Sequence, residues 1–369
     1  ITEARMTRLD FTSARRWTER ALTLIERLNN EQRSHYDLRA YAMALAVLEF
    51  GGQYREGLDY ARRMLGIAQA RGNNEATIRA YLSVGRMQRE LGQLTSAEVV
   101  LQQARNLAST DDLSELEAES RLHLAKVHQL QGRHLEALQE LQLAQEESEQ
   151  YDGRLLLARV FSSIGDIYRI LGASREAMSF YLRSLSLEQG RGSLLGQAML
   201  RDKIALSRLA QGKPNDALTD AKESLELRQQ INDVVGQARS HTVIGMILQR
   251  LERYGEAAEE LQQALTLEEQ IQNPRGQGIA LLHLGNASRA QRKFELARSC
   301  YTRAVAVTRR DNDQLGLTRA LTYSGDLAYE EGIPASRISA LVTTTLKARH
   351  GREDFTITTQ EDMLRTLSN

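Results

Sequence analysis

The sequence predicts an all-α fold, an α-solenoid of stacked helix-turn-helix blocks closed by a short non-repeat segment. Three observations predict it. Gly85, Ala125, Gly165, Ala205, Gly245, Gly285 and Gly325 stand 40 residues apart, and so do the alanines Ala97, Ala137, Ala177, Ala217, Ala257 and Ala297. A third small-residue column runs Ala104, Ala144, Ser184, Ser224, Ala264, Ala304. The 369 residues include only three prolines and are rich in Leu, Ala, Glu, Gln and Arg, a mix that favours helix. A fixed period of this length is the mark of a repeat array.

The first helix of each block follows from its small residue, because two helices crossing at close range need a side chain no larger than methyl where they meet. The alanine of the second helix is expected to supply the other half of that contact. Between them sits a turn glycine (Gly52, Gly92, Gly132, Gly172, Gly212, Gly332), which ends the first helix in a left-handed conformation at little steric cost. The second helix carries an apolar stripe at i, i+3, i+4, i+7, as in Ala97, Val100, Leu101, Ala104. Gly196, Gly236, Gly276 and Gly316 then read as the joint between blocks. A lone helix pair cannot bury both faces, so blocks must stack.

Eight first helices are expected near residues 38, 76, 116, 156, 196, 236, 276 and 316. A partial first repeat, residues 1–37, precedes them with a second-type helix at about 12–28. There Trp17 takes the alanine column, which suits an array end where the usual neighbour is absent. The array spans residues 1–332, and 333–369 form a separate segment.

The stretches YLSVGRMQRELGQLTSAEVVLQQARNLA (81–108) and HTVIGMILQRLERYGEAAEELQQALTL (241–267) resemble tetratricopeptide repeats. The likeness covers about 12–332, and the 40-residue unit is similar to those of LGN/Pins-type scaffolds and kinesin light chains. It implies a right-handed superhelix whose first helices line a concave groove for peptides or partner helices. Placed on this register, the groove positions are Arg79, Leu82, Arg86, Arg89 and Glu90, then Glu119, Leu122, Lys126 and Gln129. Next come Arg159, Ser162, Asp166 and Arg169, followed by an apolar block with Met199, Leu206 and Leu209 beside Asp202. Arg239, Met246, Arg250, Leu282, Asn286, Arg289, Arg319, Asp326 and Tyr329 complete the set. Basic residues outnumber acidic ones from Arg79 to Arg169. They suit an acidic, extended or helical peptide held bidentately by arginine, with Met199, Leu206 and Met246 accepting an apolar anchor. The opposing reading is a solvated helix face with ordinary Arg–Glu pairing. Asn286 lacks the lysines of the carboxylate-holding subset of this family, so chaperone-tail binding is not expected.

Charge and residue chemistry exclude other classes. The 48 basic and 48 acidic residues cancel, so no global field recruits nucleic acid. His123 and His283 share a repeat position and read as structural; His123 and His128 are too far out of phase for a metal pair. Cys300 falls in the buried stripe and reads as a core thiol. GRGSLLG (190–196) lacks the strand and the Lys-Ser/Thr of a phosphate loop. No catalytic set, cofactor or metal is expected. No apolar run reaches the roughly 18–20 residues of a membrane span, and Ile1 suggests that the sequence belongs to a longer chain.

After Gly332 the columns fail. A helix at about 335–349, a short strand at Phe355–Thr358 and a helix start at Gln360–Leu367 are expected. LKARHGREDFTITTQEDMLRTLS resembles the end of the extracytoplasmic core domain of MacB-type ABC-transporter permeases, through Arg349, His350, Gly351, Asp354, Phe355 and Leu364. That resemblance implies a membrane span beyond Asn369. Three functions are therefore open: a protein-binding scaffold, the extracytoplasmic partner-binding part of a MacB-like permease, and a ligand-sensing module of a bacterial regulator. The first places the chain in the cytoplasm and the second outside it.

Overall fold

The computed structural model describes residues 11–27, 30–151, 153–311 and 313–333. Among them there are sixteen α-helices and no strand. The segment expected to form helix, strand and helix after Gly332, with its permease resemblance, lies outside the described residues apart from Ile333. The N-terminal unit runs through Val234 and contains α1 (Phe11–Glu26), α2 (Asn30–Phe50), α3 (Tyr54–Ala70), α4 (Asn74–Glu90), α5 (Leu94–Thr110) and α6 (Ser114–Leu130). It continues with α7 (His134–Gln150), α8 (Arg154–Ile170), α9 (Ser174–Gly190), α10 (Leu194–Ala210) and α11 (Pro214–Gln230). The C-terminal unit comprises α12 (Val234–Arg250), α13 (Tyr254–Gln270), α14 (Pro274–Ala290), α15 (Phe294–Arg310) and α16 (Gln314–Glu330). Even-numbered helices are the first helices of the blocks.

Every helix from α3 to α16 is 17 residues long. Among the described residues, the turns between them reverse the chain through one left-handed residue. Gly92, Gly132, Gly172 and Gly212 fill that place with φ of +73°, +78°, +79° and +75°, as the turn-glycine column predicts. The same backbone recurs between blocks at Gly72 and Gly192, so the turn spacing is half the repeat. Asp112, Asn232, Glu252, Gln272 and Arg292 adopt it without glycine, at φ between +54° and +58°. The joints add a second device: Asn73, Ser193, Asn273 and Asp313 cap the following helix by accepting its third amide hydrogen.

The joint glycines prove to be helical. Gly196 and Gly276 lie in the first turns of α10 and α14, where a Cβ would come within 2.3 Å of Glu188 Oε2 and 2.1 Å of Glu268 Cδ. Each therefore makes room for a long, buried carboxylate side chain from the helix before it. The partner over the first-helix glycine also differs from expectation. Leu101, Tyr181, Leu261 and Tyr301, four residues beyond each alanine, cover Gly85, Gly165, Gly245 and Gly285. A Cβ on Gly165 would stand 2.5 Å from Tyr181 Cε1.

Trp17 is 50% exposed, and Ala14 and Thr18 take the buried places on α1. The 40-residue ruler slips here because α2 has 21 residues instead of 17. Arg20 lies over the Trp17 ring at 5.6 Å.

In the N-terminal unit the first helices touch one another in sequence, α2 with α4, α4 with α6, and α6 with α8, while second helices have no comparable mutual contact. The first helices from α2 to α8 therefore line up side by side in this unit, and their outward residues share one face, the wall. In the C-terminal unit α14 and α16 touch in the same way.

Candidate interaction wall on the first helices

The wall of the N-terminal unit is built from one repeated stripe. Residues on the core side of α4, α6 and α8, such as Ile78, Leu122 and Ile167, are fully buried. One helical turn around, the outward positions carry charge. Arg86 on α4 meets Glu49 of α2 at 3.4 Å. Arg89 pairs with Glu90 at 2.5 Å. Arg159 on α8 reaches across to Glu119 of α6 at 3.1 Å. Lys203 on α10 sits 2.7 Å from Asp166 of α8 and donates a 2.7 Å hydrogen bond to Ser162 Oγ. The wall is therefore laced by ion pairs, most of which bridge neighbouring blocks.

At its centre lies His123, with Arg89 Nη1 3.4 Å from its Nδ1 and Arg159 Nη2 3.4 Å from its Nε2. Burial holds its pKa well below the ordinary value, and nearby Lys126, Arg159 and Arg86 add to this, so the ring stays neutral. Glu119, with His123 Nε2 3.8 Å from its Oε1 and Arg159 donating to it at 3.1 Å, is lowered to about 2. Tyr181 of α9 passes behind the wall and donates its hydroxyl to Asp166 at 2.8 Å. That ties the core over Gly165 to the surface charge.

Lys126 differs from its neighbours. It is half-buried on α6, and among the described residues it makes neither an ion pair nor a hydrogen bond. Burial lowers its pKa to about 7, and Arg159, Arg89 and Lys203 push it further down than Asp166 pulls it up.

In the C-terminal unit Arg289 lies 3.6 Å from Asp326 and 3.7 Å from Glu330. Tyr301 donates to Asn286 Oδ1 at 2.7 Å, the counterpart of the Tyr181–Asp166 contact. His283 is held at about 4, by burial and by Arg319. Arg239, Arg250 and Arg319 are exposed and have no ion pair among the described residues.

Residues 116–188 and 196–270 match one profile described as tetratricopeptide repeat, and 280–315 match a second with the same description. The blocks within residues 116–315 match tetratricopeptide repeats. Solved structures share the fold at low sequence identity. The apo form of RapI superposes with a TM-score of 0.62 at 14% identity, covering 86% of this chain and 87% of that one. A Rap protein complexed with Competence and Sporulation Factor gives 0.59 at 15%, covering 85% and 91%. The apo quorum sensor NprR from B. thuringiensis gives 0.60 at 16%, covering 83% and 85%. No curated protein sequence matches the chain.

On this wall, Arg79 is exposed beside Glu75 at 3.0 Å, and Arg86, Arg89, Lys126 and Arg159 cluster as described. Arg169 and Met199 are exposed at the edge, and Leu206 is half-buried between them and the core. Leu82 and Leu282 are only 5% exposed, so they support the wall from beneath. Asp202, expected on the wall, is buried behind it, 2.7 Å from Arg228 Nη2 of α11. Lys203 takes the outward place instead. The signal for it was present, because Lys203 stands 80 residues before His283 and 80 after His123, in the same repeat column. That column faces the wall, and its recurrence alone suggested packing. Among the described residues no group of three His, Cys, Asp or Glu could hold a metal, and no helix is long and apolar enough to cross a membrane. Cys300 is buried, which raises its thiol pKa.

Proposed function

We propose that this chain is a protein-interaction scaffold whose first-helix wall binds an acidic peptide segment, extended or helical. The observation that carries the reading is the run of cations from Arg79 to Lys203, presented by consecutive first helices of one unit. Met199 and Leu206 adjoin it as an apolar anchor site. An arginine already paired across blocks keeps donor hydrogens free for a second carboxylate, and bidentate geometry favours that acceptor. The likeness to a Rap structure holding a bound factor supports a binding role for such a wall. Exposed Arg239, Arg250 and Arg319 extend the same chemistry to the C-terminal unit, considered by itself.

Selection from a random peptide display library tests this. Peptides enriched by the chain should carry two or more Asp or Glu, and Arg86→Glu with Arg169→Glu should shift enrichment toward basic sequences. Selected peptides without acidic bias, or an unchanged set after charge reversal, would overturn the reading.

A further inference from the structure

Five cations of the N-terminal wall each hold a carboxylate: Arg79 with Glu75, Arg86 with Glu49, Arg89 with Glu90, Arg159 with Glu119, and Lys203 with Asp166. Among the described residues two others have none: Arg169, exposed at the surface, and Lys126, half-buried among the paired groups. The chain has only six lysines against 42 arginines, and two of the six, Lys126 and Lys203, face each other's surroundings on this wall. Resting on the peptide-binding reading above, we infer that Lys126 is the receptor for one side-chain carboxylate of the bound acidic segment, and that this anion supplies the partner that the half-buried cation of the wall lacks.

Charged groups act on Lys126 from three other elements, Arg89 from α4, Arg159 and Asp166 from α8, and Lys203 from α10, while its own α6 carries Glu119 and His123. His123 is held neutral by burial, and Glu119, lowered to about 2, stays ionised. Lys126 is then the group whose charge changes near pH 7. Without a ligand, the surrounding cations favour its neutral amine. A carboxylate within hydrogen-bond reach reverses that preference, so binding takes up a proton at Nζ. Affinity should therefore be highest below pH 7. Above it, affinity should fall by about tenfold per pH unit until the bound-state pKa is reached. Arginine at position 126 would keep its charge and remove this dependence.

The six lysines make the test direct. The full chain is reductively methylated with ¹³C-formaldehyde, and the Lys126 signal is assigned by its loss in Lys126→Arg. The probe is N-acetyl, C-amide hexaglutamate, with hexaglutamine amide as the neutral control and N-acetyl hexaglutamine bearing a free C-terminus as the terminal-carboxylate control. Binding of each is followed in parallel by fluorescence anisotropy. Hexaglutamate should move the Lys126 methyl signal saturably and raise its midpoint by at least one pH unit, and neither glutamine peptide should do so. Lys126→Met should weaken hexaglutamate at least tenfold with an unchanged circular dichroism spectrum, and Lys126→Arg should bind with a flat profile between pH 6.5 and 8.5. Saturable hexaglutamate binding with an unmoved Lys126 signal overturns this inference alone. A response to the free C-terminus only assigns Lys126 to a terminal carboxylate and also overturns it. No binding of hexaglutamate at any pH overturns the acidic-partner reading itself.

Discussion

Gly165→Ala is the perturbation that most directly links the repeat core to the wall. The added methyl would stand 2.5 Å from Tyr181 Cε1 and 2.7 Å from Cδ1, so the ring must move. Tyr181 is fully buried, and its hydroxyl holds Asp166, which in turn holds Lys203. Overpacking of this kind costs about 1–3 kcal/mol. Releasing a hydrogen bond to a charged acceptor adds about 1.5–3 kcal/mol, while alanine returns about 1 kcal/mol of helix propensity. The net expectation is a loss of about 1.5–5 kcal/mol, from those terms taken together. The neighbouring block supplies the compensating pair, because Ala125 and Leu141 occupy the same two columns in one well-packed core. Tyr181→Leu should therefore relieve Gly165→Ala, with a coupling energy near 2 kcal/mol. Since repeat arrays depart from two-state unfolding, the assay is amide hydrogen exchange by mass spectrometry on peptides from α8 and α9, which reports local opening. Additivity of the two substitutions within about 0.5 kcal/mol would refute the claim that ring and glycine are matched.

Three further outcomes are expected. Arg292→Gly relieves a left-handed non-glycine turn (φ +57°) and should raise stability by about 0.5–1 kcal/mol in urea unfolding, whereas Gly212→Ala (φ +75°) should lower it by a similar amount. Arg228→Met leaves Asp202 and Asp233 without the guanidinium that now lies 2.7 Å and 3.1 Å away, and should cost about 3 kcal/mol; a change below 1 kcal/mol would mean the buried triad is dispensable. His283, ordinarily near 6.5 and held at about 4 in the fold, is protonated first in the unfolded chain. Stability should thus drop by up to roughly 3 kcal/mol as pH falls from 6.5 to 4, and His283→Asn should flatten the urea midpoint over that window.

The array was legible because its architecture is written in residues whose size is constrained at every turn of the repeat. Glycine at a left-handed turn and a small residue under a crossing helix leave no latitude, so they recur in register. The misplacements arose where two sizes trade against each other. Gly196 and Gly276 look like loop residues until the buried Glu188 and Glu268 are seen above them. Tyr181 and Tyr301 use the space that glycine leaves, and the alanine four residues earlier only looked like the partner. Trp17 falls out of the alanine column because the extra turn of α2 shifts the register. The wall was half legible. Its arginines follow from the groove register, but Asp202 and Lys203 exchange roles, because one residue along a helix rotates a side chain by roughly 100° from wall to core. That the half-buried Lys126 lacks a carboxylate depends on which acids reach across blocks, and spacing within one helix does not reveal it.

The most direct test of the central claim is a crystal structure of the chain with the tightest acidic peptide recovered from the display selection. The account predicts peptide density along α4, α6, α8 and α10, with a side-chain carboxylate oxygen about 2.7–3.2 Å from Lys126 Nζ. A peptide seated on the second helices, or one crossing the wall with Lys126 still unpaired, would contradict it.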